Sequence, residues 1–199
     1  MENTRLNTLK KTVLTAIFSA VALALYFIEF PLLPSTFLKM DFSDIIAVIG
    51  GVLLGPWYAV IIELIKNILE MLIKGLGSTL GFGNLSNFIV GVAYSVPFSI
   101  IARRVFKTLN LQSNKINLKR CVAASLAGAA AMLVIGFFTN CLVTPMYFKF
   151  FVGQELTRQY VLGFAATATA FNAIKSLILS VLLCIILPIC GETLKKTVD

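Results

Sequence analysis

A chain of 199 residues that is 58% hydrophobic and only 13% charged, with a mean hydropathy of +0.92, stands well apart from soluble proteins, in which charged residues make up about 25%. That balance excludes a water-soluble enzyme or binding domain and points to an integral membrane protein. The net charge of +8 is no signature of a nucleic-acid partner, because the basic residues are neither gathered in a soluble module nor interleaved with aromatics.

The cations flank apolar runs instead. Arg5, Lys10 and Lys11 precede the first run, Arg103, Arg104, Lys107, Lys115, Lys119 and Arg120 bracket a central loop, and Lys195 and Lys196 come near the end. Lys and Arg beside membrane spans are retained on the cytoplasmic side, so both termini and the central loop are expected there and the span count is even. A helix needs roughly 20 residues to cross the hydrocarbon core. The length and pattern predict an all-α, six-helix polytopic bundle forming one membrane domain over 1–199, with helices at about 12–28, 45–54, 56–73, 85–102, 121–143 and 160–187. Cys121, Cys141, Cys184 and Cys190 show no CxxC spacing and the chain has no His, which excludes a Cys/His zinc site and leaves buried thiols packing as small apolar groups. Ala22-Leu23-Ala24 resembles a cleavage triplet, but the apolar run continues through Tyr26, Phe27 and Ile28, so an uncleaved span is expected.

In the first helix Ala16, Ala20 and Ala24 recur every four residues and form a stripe of small side chains. Close backbone approach over such stripes holds helices together in lipid, either within this protein or against a partner. Glu29, Phe30, Pro31 and Pro34 then stop the helix. The loop Phe37–Ile46, FLKMDFSDII, places Lys39, Asp41 and Asp44 among apolar residues, with Ser43 and Asp44 as candidate caps of the next helix. That helix is too short to cross alone and breaks at Gly55-Pro56, where Pro56 suits the first turn of its successor. In the third helix Glu63, Lys66, Asn67 and Glu70 share one face, with Lys66 placed to pair with both acids. Ionised groups at membrane depth cost about 2.5–3.5 kcal/mol on insertion scales, so this face should meet protein, water or a ligand.

The glycine-rich stretch 75–83 lacks the Gly-Lys-Ser/Thr of a phosphate-cradling loop and nothing else offers an ATP site, so any energy-driven activity would have to draw its energy from another subunit. Asn84, Asn87 and Tyr94 lie in the outer half of the fourth helix, which carries Pro97 and ends at Arg103-Arg104; Asn140, Thr144 and Pro145 close the fifth. The aromatics Tyr147, Phe148, Phe150 and Phe151 suit an interface belt or a lid. The sixth helix carries Phe171, Asn172 and Lys175 at membrane depth. With no acid nearby on its own helix, Lys175 needs a carboxylate or carbonyl elsewhere, a wet cavity or a ligand.

LKMDFSDI, GGVLLGP, IIELIKNIL and GFGNLSNFIVG together resemble the riboflavin-specific substrate-binding subunit, or S component, of energy-coupling factor vitamin transporters. The resemblance implies a non-enzymatic membrane bundle in a prokaryotic cell membrane that captures riboflavin from outside. It needs no cofactor, and docks through Ala16, Ala20 and Ala24 onto a transmembrane coupling protein that carries two ATPases. It places the vitamin beneath the first outer loop and against helices four to six, with Asn87, Asn140, Asn172 and Lys175 as the matching polar positions. Beside these, Leu38, Lys39, Met40, Asp41, Tyr94, Thr144, Phe148 and Phe171 are the expected ligand neighbours. Asn172 offers donor and acceptor to a uracil-like edge, and Phe148, Tyr94 or Met40 apolar surface to a flat ring. Ile46 stands where the family's loop motif often has Pro, which leaves another vitamin open. An intramembrane metal-dependent transferase using Asp41 and Asp44 is the alternative from a different class.

Overall fold

The computed structural model describes residues 2–31, 38–75, 81–108 and 118–198. Pro34, Phe37, most of the glycine-rich stretch and Lys115 lie outside the described residues. The elements run in order α1 (Glu2–Tyr26), β1 (Phe30–Pro31), β2 (Lys39–Met40), α2 (Ser43–Leu54), α3 (Pro56–Lys74), α4 (Phe82–Thr108), α5 (Leu118–Tyr147), a π-helical turn (Phe148–Val152) and α6 (Arg158–Val198). Several helices extend beyond the apolar runs that announce them. Hydropathy marks what lies in hydrocarbon, whereas backbone hydrogen bonding carries the helix on into the polar layer.

This is a helical membrane protein. Four helical stretches among the described residues are long and apolar enough to cross a bilayer: Thr8–Tyr26, Phe82–Arg103, Leu118–Val152 and Arg158–Pro188. α2 has 12 residues, too few by length, and α3 carries Glu63, Lys66, Glu70 and Lys74 within its 19.

α1 stops at Tyr26, two residues before the expected end, and its last turn closes with Phe27 N–H donating to Leu23 O (3.2 Å). Phe30–Pro31 and Lys39–Met40 then pair antiparallel, Phe30 with Met40 and Pro31 with Lys39. This short ladder joins the described ends of the segment that connects α1 to α2. Ser43 and Asp44 do not cap α2: both lie within its first turn, Phe42 is the cap residue and its side chain makes no capping hydrogen bond. Their oxygens are engaged elsewhere, as described below.

At Gly55 φ is +136°, a conformation that favours glycine, and Pro56 opens α3. The turn folds α2 back along α3. A Cβ on Gly51 would lie 2.8 Å from Ala59 Cβ, so only glycine permits that approach. The core is built from α2, α4, α5 and α6, with Val48, Tyr94, Phe98, Met132, Leu179 and Leu183 fully buried. Cys121 is packed into it, within 3.1 Å of Cys184.

α1 packs against α2 and α3 through Ala22, Ala47 and Ile62, and its buried hydroxyls Thr15 and Ser19 bond back to Lys11 O and Thr15 O. Ala16, Ala20 and Ala24 fall on the opposite, exposed face beside Val13, Ile17 and Val21. Packing within the protein therefore does not use the small-residue stripe.

Candidate functional site

A cavity of about 620 Å³ opens between one end of the helix bundle and the loop that leads from α1 to α2, a size within the usual 300–1,000 Å³ range of small-molecule sites. Each contributing segment brings a side chain whose presence follows from its local structure. Leu38, Lys39 and Asp41 line the cavity, whereas Met40, which follows Lys39 on β2 and so points to the opposite side of the strand, is wholly buried behind it. From α4 comes Asn87, from α5 Asn140 and Thr144, from the π turn Phe148, and from α6 Phe171, Asn172 and Lys175. Tyr94, like Met40, does not line the cavity. One helical turn beyond Val90, which does reach the cavity, it lies in the core with its hydroxyl 3.0 Å from Ser180 Oγ.

Beneath the cavity wall lies a network of buried ions. Lys175 Nζ is 3.1 Å from Asp41 Oδ2 and 2.9 Å from Asp44 Oδ2. Lys66 Nζ is 2.9 Å from Asp44 Oδ1, 2.6 Å from Glu63 Oε2 and 2.8 Å from Ser43 Oγ. Asp41 accepts the Ser43 N–H at 2.9 Å and also the Ser43 hydroxyl. All five charged groups are buried, and ions withdrawn from water need this density of partners. The carboxylates sought for Lys175 thus come from the first outer loop and α2. Lys175 donates a hydrogen bond to Asp41, pairs with Asp44 by charge, and also lines the cavity.

The same network answers the metal alternative. Asp41 and Asp44 are held by lysines rather than kept open as cation ligands, and no group of three metal-ligating side chains occurs among the described residues.

Lys66 pairs with Glu63 as expected but not with Glu70, because Asp44 takes that side of the ammonium. Glu70 instead accepts from Asn84 and pairs with Lys74 at 3.6 Å. Asn87 donates to Asn67 Oδ1 at 3.3 Å, one turn deeper along the same α3–α4 seam. At the rim Glu29 lies 2.7 Å from Lys39 and 3.0 Å from Lys74. Partial burial raises its pKa, but the hydrogen bonds from these two lysines outweigh that and hold the carboxyl below its ordinary range.

Two amides face the cavity in different states. Asn140 Nδ2 donates to Gly136 O at 2.8 Å, which fixes its orientation. Asn172 is buried and lines the cavity, yet makes no hydrogen bond to another described residue. Gly136 provides its space: a Cβ there would lie 2.7 Å from Asn172 Nδ2. Of the outer aromatics, Tyr147 and Phe148 line the cavity, while Phe150 and Phe151 are exposed. The residues that sequence reasoning left out of the site are chiefly Tyr26, Glu70, Lys74, Asn84, Tyr160 and Phe164. Glu70 and Asn84 carried a legible signal as polar residues in an apolar stretch; Tyr26 carried none, being one aromatic at the end of an apolar run.

The family model for the substrate-specific component of ECF transporters matches residues 10–187. Riboflavin transporter FmnP of Bacillus subtilis (strain 168) is 31% identical over 181 residues, 89% of this chain and 90% of that protein. Riboflavin transporter RibU of Staphylococcus aureus (strain TCH60) is 25% identical over 189 residues, 94% of this chain and 93% of that protein. Among solved structures, the S component of a bacterial ECF transporter superposes with a TM-score of 0.63 at 24% identity, covering 94% of this chain and 99% of its own. ThiT from Listeria monocytogenes superposes with a TM-score of 0.64 at 18% identity, covering 96% and 98%. At these identities the two structures speak for the fold alone.

Proposed function

Because this chain belongs to the substrate-specific components of ECF transporters, we infer that it is the riboflavin-binding membrane subunit of such a transporter and not an enzyme. The relatives named as riboflavin transporters support this over almost their full lengths. The observation that carries it in the molecule is the uncommitted Asn172 amide beside Lys175 in a cavity walled by Phe148, Phe164 and Phe171. A flavin presents a flat apolar ring, an edge of alternating donors and acceptors, and a hydroxylated tail. Aromatic walls suit the ring, one amide meets a donor–acceptor edge, and the cavity-lining Asn140, Thr144, Asn87 and Lys175 suit the tail.

In this reading Leu38, Lys39 and Asp41 form a wall and lid over the vitamin, while Met40 and Tyr94 support from behind. The chain acts as one membrane domain of six helices in the cell membrane, both termini cytoplasmic, with the cavity open to the outside. Ala16, Ala20 and Ala24 meet a transmembrane coupling protein attached to a pair of ATPases, and their exposure on α1 suits them for that contact. Absorbance and fluorescence of the detergent-purified protein test the binding claim. Equimolar riboflavin, bound unchanged, is expected; a colourless preparation that fails to quench added riboflavin refutes it.

A further inference from the structure

The residues of the first outer loop and of α4 to α6 account for most of the cavity, but one wall comes from the opposite end of the chain. Tyr26, the last residue of α1, lines the cavity. Its ring is held by two cations that are themselves fixed: Lys66 Nζ and Lys74 Nζ each lie 5.5 Å from the ring centroid. Lys66 is anchored by Asp44 and Glu63, and Lys74 by Glu29 and Glu70. The ring is thus pinned, yet its hydroxyl makes no hydrogen bond to another described residue. A phenol drawn into a protein ordinarily finds a hydrogen-bond partner, and this residue lines the cavity.

We propose that Tyr26 is a ligand-contacting residue, its hydroxyl hydrogen-bonded to the bound vitamin, so that α1 is part of the binding site. This rests on the riboflavin-binding reading above. One consequence follows from the helix itself: α1 touches ligand at its outer end and presents Ala16, Ala20 and Ala24 on its exposed face. Occupancy of the cavity therefore acts on the same helix that offers a surface to a partner.

Riboflavin titration of the full-length protein in detergent, by quenching of flavin fluorescence, tests this with wild type, Tyr26→Phe and Tyr26→Leu. Loss of one hydrogen bond to the ligand predicts that Tyr26→Phe weakens binding between about twofold and tenfold. Tyr26→Leu should lose at least as much. Amide hydrogen exchange supplies a readout that a purely structural role would not move. Riboflavin should slow exchange in the last turn of α1 in wild type, and less so in Tyr26→Phe. Equal affinity of Tyr26→Phe and wild type overturns the inference while leaving the riboflavin reading intact, as does unchanged α1 exchange on binding. A wild-type protein that binds no riboflavin overturns both.

Discussion

Lys175 is the residue whose removal separates the two things the ion network does. Lys175→Met deletes the cation that faces Asp41 and Asp44 and substitutes an apolar chain of similar reach. Asp44 keeps Lys66 at 2.9 Å, but Asp41, 2% exposed, keeps only Ser43 among the described residues and is left as an uncompensated buried charge. Breaking a buried pair in this way costs about 3–5 kcal/mol, and for a chain of this length each kcal/mol shifts the unfolding midpoint by roughly 2–4 °C. The midpoint should therefore fall by roughly 6–20 °C. Adding Asp41→Asn removes the stranded charge, so the double variant should regain most of that stability. Its affinity for riboflavin should stay as weak as that of Lys175→Met, because the cavity-lining ammonium is still missing. Thermal unfolding in detergent by far-UV circular dichroism, run on both single variants and the double, closes the cycle. A Lys175→Met protein as stable as wild type, or a double variant no more stable than it, would refute the reasoning that the network stabilises through charge compensation.

Gly136→Ala places a methyl 2.7 Å from Asn172 Nδ2, so Asn172 must turn away from its present position. Riboflavin affinity should fall at least severalfold with far-UV circular dichroism unchanged, and an unaltered titration would remove Asn172 from the site. Tyr94→Phe loses the 3.0 Å contact with Ser180, a loss of about 0.5–1.5 kcal/mol; the midpoint should drop by a few degrees while riboflavin binding holds, in contrast to Tyr26→Phe. Ala20→Leu enlarges a side chain on the exposed face of α1 and should leave binding intact but depress uptake by cells that also supply the partner subunits. Normal uptake by that variant would return the stripe to lipid contact alone.

Hydropathy and cation placement determined the class of this protein from its sequence, because both record the solvent each residue must meet. The Gly55-Pro56 break and the shared face of Glu63, Lys66, Asn67 and Glu70 were equally legible, since each depends on bonds and periodicities within a few residues. Which way an element is turned about its own axis was not. Met40 and Tyr94 stand one alternation and one turn away from residues that do reach the cavity, and only packing chose between the faces. Tyr26 enters the site because the end of α1 happens to lie over Lys66 and Lys74, a juxtaposition that local pattern leaves unmarked. The sharpest instance is Lys175, whose partner Asp41 is 134 residues earlier in the chain. Sequence showed that a buried lysine required a counter-charge; only the folding of α2 against α6 brought that carboxylate within 3.1 Å, because the cost of an unpaired ion in lipid specifies the need for a partner and not its address.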